Sequence, residues 1–198
     1  MSNKSKHHHF VICKPYGFLS QFITNQNVKK KHHKLLGELA DFPEGIMAIG
    51  RLDRDSEGLL LLTTDGKKSY HILSNKVDKE YYVQVDGIIT ESAIKQLKNG
   101  VEITVENSEY TTKPCPVKML NSLDLQLPIR AKKIRDDRHG PTSWISITLR
   151  EGKFRQVRKM TAAVGFPTLR LVRYRIGTIE LGQMQAGDVI ELDDNFTV

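Results

Sequence analysis

Asp53 stands in GRLDRDSEG, a glycine-bounded polar turn between two apolar stretches, with Arg51 and Arg54 beside it. A carboxylate among cations stays ionised and can serve an anionic substrate as nucleophile or base. Taken alone, a loop aspartate more often closes its turn by accepting backbone N–H groups. Asp55 and Glu57 share the segment, so spacing leaves open which acid faces a cleft, and two such acids would also suit hydrolysis by paired carboxylates. A second cluster, EGKFRQVRKM, carries Arg155 and Arg158 three residues apart just after Gly152. That arrangement suits a phosphate or a carboxylate, and equally a solvated cationic face. The histidines at 7 to 9 and at 32 and 33 lack cysteine or acidic partners at ligand spacing, so no metal site is expected.

These residues need elements to hold them. FVICKPYGFLSQF reads as a short strand from Phe10 ending in a turn fixed by Pro15 and Gly17, preceded by a loose polar tail over residues 1–9. KKKHHK, Lys29 to Lys34, reads as a solvated loop. GIMAIGRLDRDSEGLLLLTTDG is a strand, a charged turn and a second strand; a short helix follows over Lys67 to Ser74. KEYYVQVDG alternates through Tyr81, Val83 and Val85 as a half-buried strand. Thr90 suits the N-cap and Gly100 the C′ position of the helix ESAIKQLKN, whose Ile94 and Leu97 share a face. Val101–Val105 and Val117–Leu120 are expected as strands separated by a polar stretch, and SWISITLREG as a strand that takes Trp144 into the core. A helix over Phe154 to Val164, stopped by Gly165, would turn Val157, Met160, Thr161 and Val164 inward and leave Arg155 and Arg158 on another face. TLRLVRYRIG, TIEL and DVIEL complete the strands. With strands outnumbering helices, the expected class is α+β with a mixed, largely antiparallel sheet and flanking helices; GxGxxG and P-loop signatures are absent.

The 198 residues, 39% hydrophobic and 27% charged, suffice for one substantial core. The longest aliphatic run, Leu59 to Leu62, is far short of the roughly 20 residues of a membrane span, so no membrane partner is expected. The N-terminus lacks a secretory apolar stretch, and Cys13 and Cys115 lack CxxC spacing, which points to reduced thiols and the cytoplasm. A net charge of +7 suits a polyanionic partner, with nucleic acid foremost.

GRLDRDSEGLLLLTTDG resembles the signature of the ribosomal RNA pseudouridine synthases related to the small-subunit enzyme. KPYG, KEYYVQVDG, EGKFRQVRKM and PTLRLVRYRIG recur in the family's order, so the resemblance spans residues from about 10 to 192. PIR, the basic stretch, PTSW and VGFPTLRL are most similar to members acting on large-subunit (23S) ribosomal RNA. Ser56 replaces the usual Thr, and Lys153-Phe154 an often-seen Arg-Asn, which bears on substrate choice more than on chemistry.

The resemblance implies a pseudouridine synthase fold with a central RNA-binding cleft and one catalytic domain over 10–198. Lys14 of the KPYG element lies too near the start for the additional N-terminal RNA-binding domain of many relatives. It implies isomerisation of uridine to pseudouridine in large-subunit ribosomal RNA, by a monomer and without a cofactor. Asp53 would be the catalytic carboxylate, attacking C1′ or assisting loss of the 2′ proton; Tyr81 would pack on the uracil; Arg158 would pair with Asp53; Leu52 and Val157 would line the pocket. Lys14, Arg51, Arg54, Arg130, Lys132, Lys133, Arg135, Arg155 and Arg173 are the expected RNA contacts. The rival expectation is a noncatalytic RNA-binding or ribosome-assembly module on the same scaffold.

Overall fold

The computed structural model describes residues 6–23, 34–74, 77–135 and 137–198. Residues 1–5 of the expected tail, and 29–33 of the expected basic loop, lie outside the described residues. Among the described residues eleven strands and three α-helices follow one another as β1 (His9–Lys14), β2 (Met47–Ile49), β3 (Glu57–Thr63), α1 (Gly66–Ser74), β4 (Lys79–Asp86), α2 (Glu91–Asn99), β5 (Glu102–Val105), β6 (Ser108–Thr111), β7 (Val117–Leu120), β8 (Thr142–Leu149), α3 (Gln156–Ala163), β9 (Thr168–Ile176), β10 (Ile179–Glu180) and β11 (Val189–Leu192). The main sheet runs β11-β1-β3-β9-β4-β8-β7, with β2 paired to β3 and β10 to β9. Its pairings are antiparallel except β3 with β9. The class is thus α+β with a mixed, largely antiparallel sheet, as the strand-rich sequence predicts.

Why β3 is an unbroken aliphatic run is visible in its two faces. Leu59 and Leu61 join a core with Val11, Cys13 and Ile72 of α1, while Leu60 and Leu62 join another with Ile12 and Leu36. A strand covered on both sides loses the polar alternation of a half-exposed one. Beyond β9, Val83 and Val85 of β4 and Ile145 and Ile147 of β8 meet Leu97 of α2 and Val157 and Met160 of α3. The two halves join at the short β3–β9 ladder, where Gly58 faces Arg173. Gly58 has φ 98°, and a Cβ there would lie 2.4 Å from the Arg173 carbonyl oxygen, so only glycine lets the strands approach.

Several sequence expectations are corrected. The chain is tied down before Phe10: the His8 N–H donates to Thr64 Oγ1 at 2.9 Å, and buried His9 begins β1, hydrogen-bonded with Thr63 Oγ1 at 2.8 Å. The polar stretch after Val105 contains β6, which pairs with β5 through a turn whose Glu106 and Asn107 are left-handed. Trp144 is half-buried on the β8 face opposite Ile145 and Ile147 instead of in the core. The third helix starts at Gln156, not Phe154, because Arg155 takes left-handed backbone (φ 53°, ψ 32°) at its N-cap. The first two helices form as read, the second with Thr90 Oγ1 accepting from the Ala93 N–H as its expected cap; the first gains a cap the sequence reading did not name, the Asp65 carboxylate accepting from the N–H groups of Lys67 and Lys68. Cys13 is buried and Cys115 partly so, both as free thiols; burial pushes them up to about 12 and about 11.

Candidate active site

A cleft of about 1400 Å³ opens where the halves meet, and Leu52, Asp53, Tyr81, Arg155 and Val157 all line it. Asp53 is on the turn that feeds β3. Ser20 clamps that turn by donating to the Leu52 carbonyl at 2.8 Å and accepting from the Leu52 N–H at 2.9 Å, and the Gly17 N–H donates to the Arg54 carbonyl. The KPYG segment therefore serves as the support of the Asp53 turn. Nothing in the sequence marks Ser20 for this, since it lies 32 residues from its partner. Tyr81, half-buried, sits across β9: Gly58, Arg173 and Tyr81 form one row over the three strands.

The three acids of GRLDRDSEG have different fates. Glu57 is buried and held by Arg170 at 3.0 Å and by Arg130 at 3.0 Å, so it faces no cleft. Asp55 receives Nη1 and Nη2 of Arg155, each at 3.0 Å, and stands 3.6 Å from Arg158. Burial acts to raise its pKa, but the Arg155 hydrogen bond and both guanidinium charges outweigh it and hold the carboxyl below its usual range. Asp53 has only Arg155 Nη1, at 3.8 Å, as a recorded ion-pair partner among the described residues. Burial raises its pKa; Arg155 pulls against this, Asp55 adds to it, and the net direction is up. Asp53 thus lines the cleft free of hydrogen-bonded cations while Asp55, two residues on, is locked by them and Glu57 is buried, which removes the paired-acid arrangement of Asp55 with Glu57. A free carboxylate that shares its cleft with an aromatic ring and apolar side chains can attack a carbon or accept a proton.

Arg158 is where the sequence expectation and the geometry part. Its Nη2 donates to the Asp55 carbonyl at 2.9 Å, so it braces the turn, while Arg155 is the guanidinium nearer Asp53. The left-handed N-cap swings Arg155 off the helix face that a continuous helix would have given it. Glu151, unmarked in the sequence, fixes this turn: it accepts from Tyr110 Oη, Gln156 Nε2 and the Lys113 N–H, and Gln156 Oε1 accepts from the Lys153 N–H.

The expected RNA contacts sort by exposure. Arg51, Arg54, Lys132 and Lys133 are exposed, the first two at the cleft. Lys14 is fully buried, donating to the Phe18 carbonyl at 2.8 Å and the Pro15 carbonyl at 3.0 Å, and burial lowers its pKa to about 7; it is a support of the KPYG turn and not a surface cation. Arg173 is buried and donates to the Leu59 carbonyl at 2.7 Å. Arg130 is committed to Glu57, and Arg135 to Asp86. Arg130, Arg135 and Arg173 each meet an acid or carbonyl from a distant segment, which spacing along the chain does not reveal, whereas Lys14 folds back on carbonyls of its own turn. Among the described residues no group of three or more metal-ligating side chains comes together, and no helix is long and apolar enough to cross a membrane.

Residues 8–163 match the family model described as RNA pseudouridylate synthase. Ribosomal large subunit pseudouridine synthase E of Vibrio vulnificus (strain CMCP6) is 42% identical over 186 residues, covering 92% of this chain and 74% of that protein. The protein of the same name from Xanthomonas campestris pv. campestris is 40% identical over 181 residues, covering 89% of this chain and 91% of its own. A pseudouridylate synthase crystal structure superposes with a TM-score of 0.73 at 23% identity, covering 98% of this chain and 73% of that one, a likeness of fold.

Proposed function

The chain belongs to the RNA pseudouridylate synthase family, and from that premise we propose that it isomerises a uridine of large-subunit (23S) ribosomal RNA to pseudouridine with Asp53 as the reacting carboxylate. The N1–C1′ bond breaks, the uracil turns, and C5 bonds to C1′; C5 loses a proton and N1 gains one, so the composition is unchanged and no cofactor is consumed. Asp53 begins this by attacking C1′ or by taking the 2′ proton, and either start needs the ionised form. Tyr81 packs on the uracil while it turns, and Leu52 and Val157 keep water from the ring. Arg155 holds Asp53 ionised against the effect of burial. Arg158 positions the turn through the Asp55 backbone.

The target base must leave its stack to reach this depth. Arg51, Arg54, Lys132 and Lys133 hold the flanking backbone. The chain works in the cytoplasm as a monomer, with residues 10–198 as its catalytic domain. What carries the reading is the asymmetry of the two acids: Asp55 is locked by two arginines, while Asp53 lines the same cleft as Tyr81 with its nearest guanidinium beyond hydrogen-bond reach.

Pseudouridine mapping in large-subunit RNA from cells lacking the gene, complemented with wild type or Asp53→Asn, tests the proposal. One position should lose its pseudouridine, regain it with wild type and not with the variant. Recovery with Asp53→Asn, or an unchanged map on deletion, would favour the noncatalytic assembly module.

A further inference from the structure

Phe154 is an aromatic ring that the fold leaves in water: 67% exposed, at the edge of the cleft that holds Asp53. The backbone that presents it is held. The residue after it is left-handed, and the one after that, Gln156, is buried and hydrogen-bonded to Glu151, so the turn keeps the Phe154 backbone at the cleft edge as long as this network holds. Two ammonium groups flank it, while the nearby Glu151 carboxylate is taken up by Tyr110, Gln156 and the Lys113 N–H. Lys159 Nζ lies 5.4 Å from the Phe154 ring centroid, tethered to the Thr104 carbonyl at 2.7 Å, and Lys153 Nζ lies 4.8 Å from the ring of Tyr110. An exposed π face flanked by ammonium groups is the composition that binds unpaired nucleotides, ring to base and cations to phosphates.

We propose that Phe154, flanked by Lys153 and Lys159, is a stacking site for the nucleobase next to the extruded uridine, with the two lysines holding the adjoining phosphates. The inference rests on the proposed isomerase reading, because it is the extrusion that creates the vacancy. When a uridine leaves a helix, its neighbour loses a stacked partner on one face. A ring whose backbone is already held at the cleft rim replaces that partner with only its own side-chain torsions left to order, so extrusion becomes less costly. Phe154 is a positioning residue: it acts on the RNA's shape and not on the reacting atoms.

The test uses the full chain with two RNAs, a hairpin carrying the modified uridine in its stem and the same sequence as an unstructured strand, in single-turnover reactions. Loss of one base–aromatic stack is worth about 5- to 150-fold. Phe154→Ala should lose that much rate on the hairpin and little on the single strand, and Phe154→Trp should restore it where Phe154→Leu does not. With 2-aminopurine at the neighbouring position, bound to Asp53→Asn protein, emission should be quenched and should rise when Phe154→Ala is added. Lys153→Gln with Lys159→Gln should lower the salt slope of binding by about 0.7 for each phosphate no longer neutralised. Equal losses on both RNAs, full activity of Phe154→Ala on the hairpin, or rescue by Leu would overturn the stacking site. A wild-type protein that leaves the uridine unmodified would instead overturn the isomerase reading and, with it, this one.

Discussion

Arg155 grips Asp55 through two parallel hydrogen bonds of 3.0 Å while its Nη1 stands 3.8 Å from the Asp53 carboxylate. One guanidinium thus divides two acids into a bound one and a free one, two residues apart. The bidentate geometry suits a carboxylate whose task is to hold an arginine in place, and the longer contact suits one that must be available to a substrate.

Asp53→Asn should remove uridine isomerisation, a loss of at least about 10²- to 10⁴-fold, while Asp55→Asn should keep measurable turnover. Stability should separate them in the opposite direction. The pKa of Asp53 is raised in the folded state, so its ionisation opposes folding at neutral pH, and Asn there should leave the thermal midpoint unchanged or higher. Asp55 has a lowered pKa and contributes stability above its unfolded value, so Asn there should lower the midpoint. A dead Asp55→Asn beside a normal Asp53→Asn would reverse the assignment.

The acid limb of the pH–rate profile gives a second check. Arg155 lowers the Asp53 pKa and Asp55 raises it. Arg155→Gln should therefore move the limb to higher pH, and Asp55→Asn to lower pH. Single-turnover rates across the acid range measure both, and shifts of the same sign would contradict the arrangement.

Buried Lys14 should report on folding. With a pKa of about 7 in the fold and 10.5 as an ordinary lysine, the unfolded chain binds the extra proton between those values, so this residue's contribution makes stability rise with pH through that window. Denaturant titrations at pH 7 and pH 10 should show that rise in the wild type and a flatter response in Lys14→Met.

Salt dependence of RNA binding distinguishes exposed from committed cations. Neutralising Arg51, Arg54, Lys132 and Lys133 should reduce the log–log slope by about 0.7 to 0.9 for each phosphate they would otherwise neutralise. Arg130→Gln should leave the slope alone and cost about 1 to 3 kcal/mol of stability, because buried Glu57 loses one of its two arginines.

Gly58→Ala should be among the most damaging small substitutions in the chain. Its Cβ would meet the β9 backbone in a left-handed position, so a loss of about 2 to 5 kcal/mol is expected, read from the thermal midpoint.

Features that depend on near neighbours were legible along the chain. The four leucines of β3, the alternation of β4, the cap at Thr90 and the order of the motifs are local patterns, and the structure follows them because burial and hydrogen-bond satisfaction act on such short spans. Which charges are paired was settled only where distant segments meet. Arg130 and Arg170 on Glu57, Arg155 on Asp55 and Ser20 on Leu52 are contacts between segments 32 or more residues apart. A cation's exposure depends on whether a distant acid or carbonyl arrives beside it, and no spacing within GRLDRDSEG or EGKFRQVRKM encodes that arrival. For the same reason the left-handed turn at Arg155 was hidden: Glu151 and Tyr110 hold it from outside the helix whose pattern runs through it.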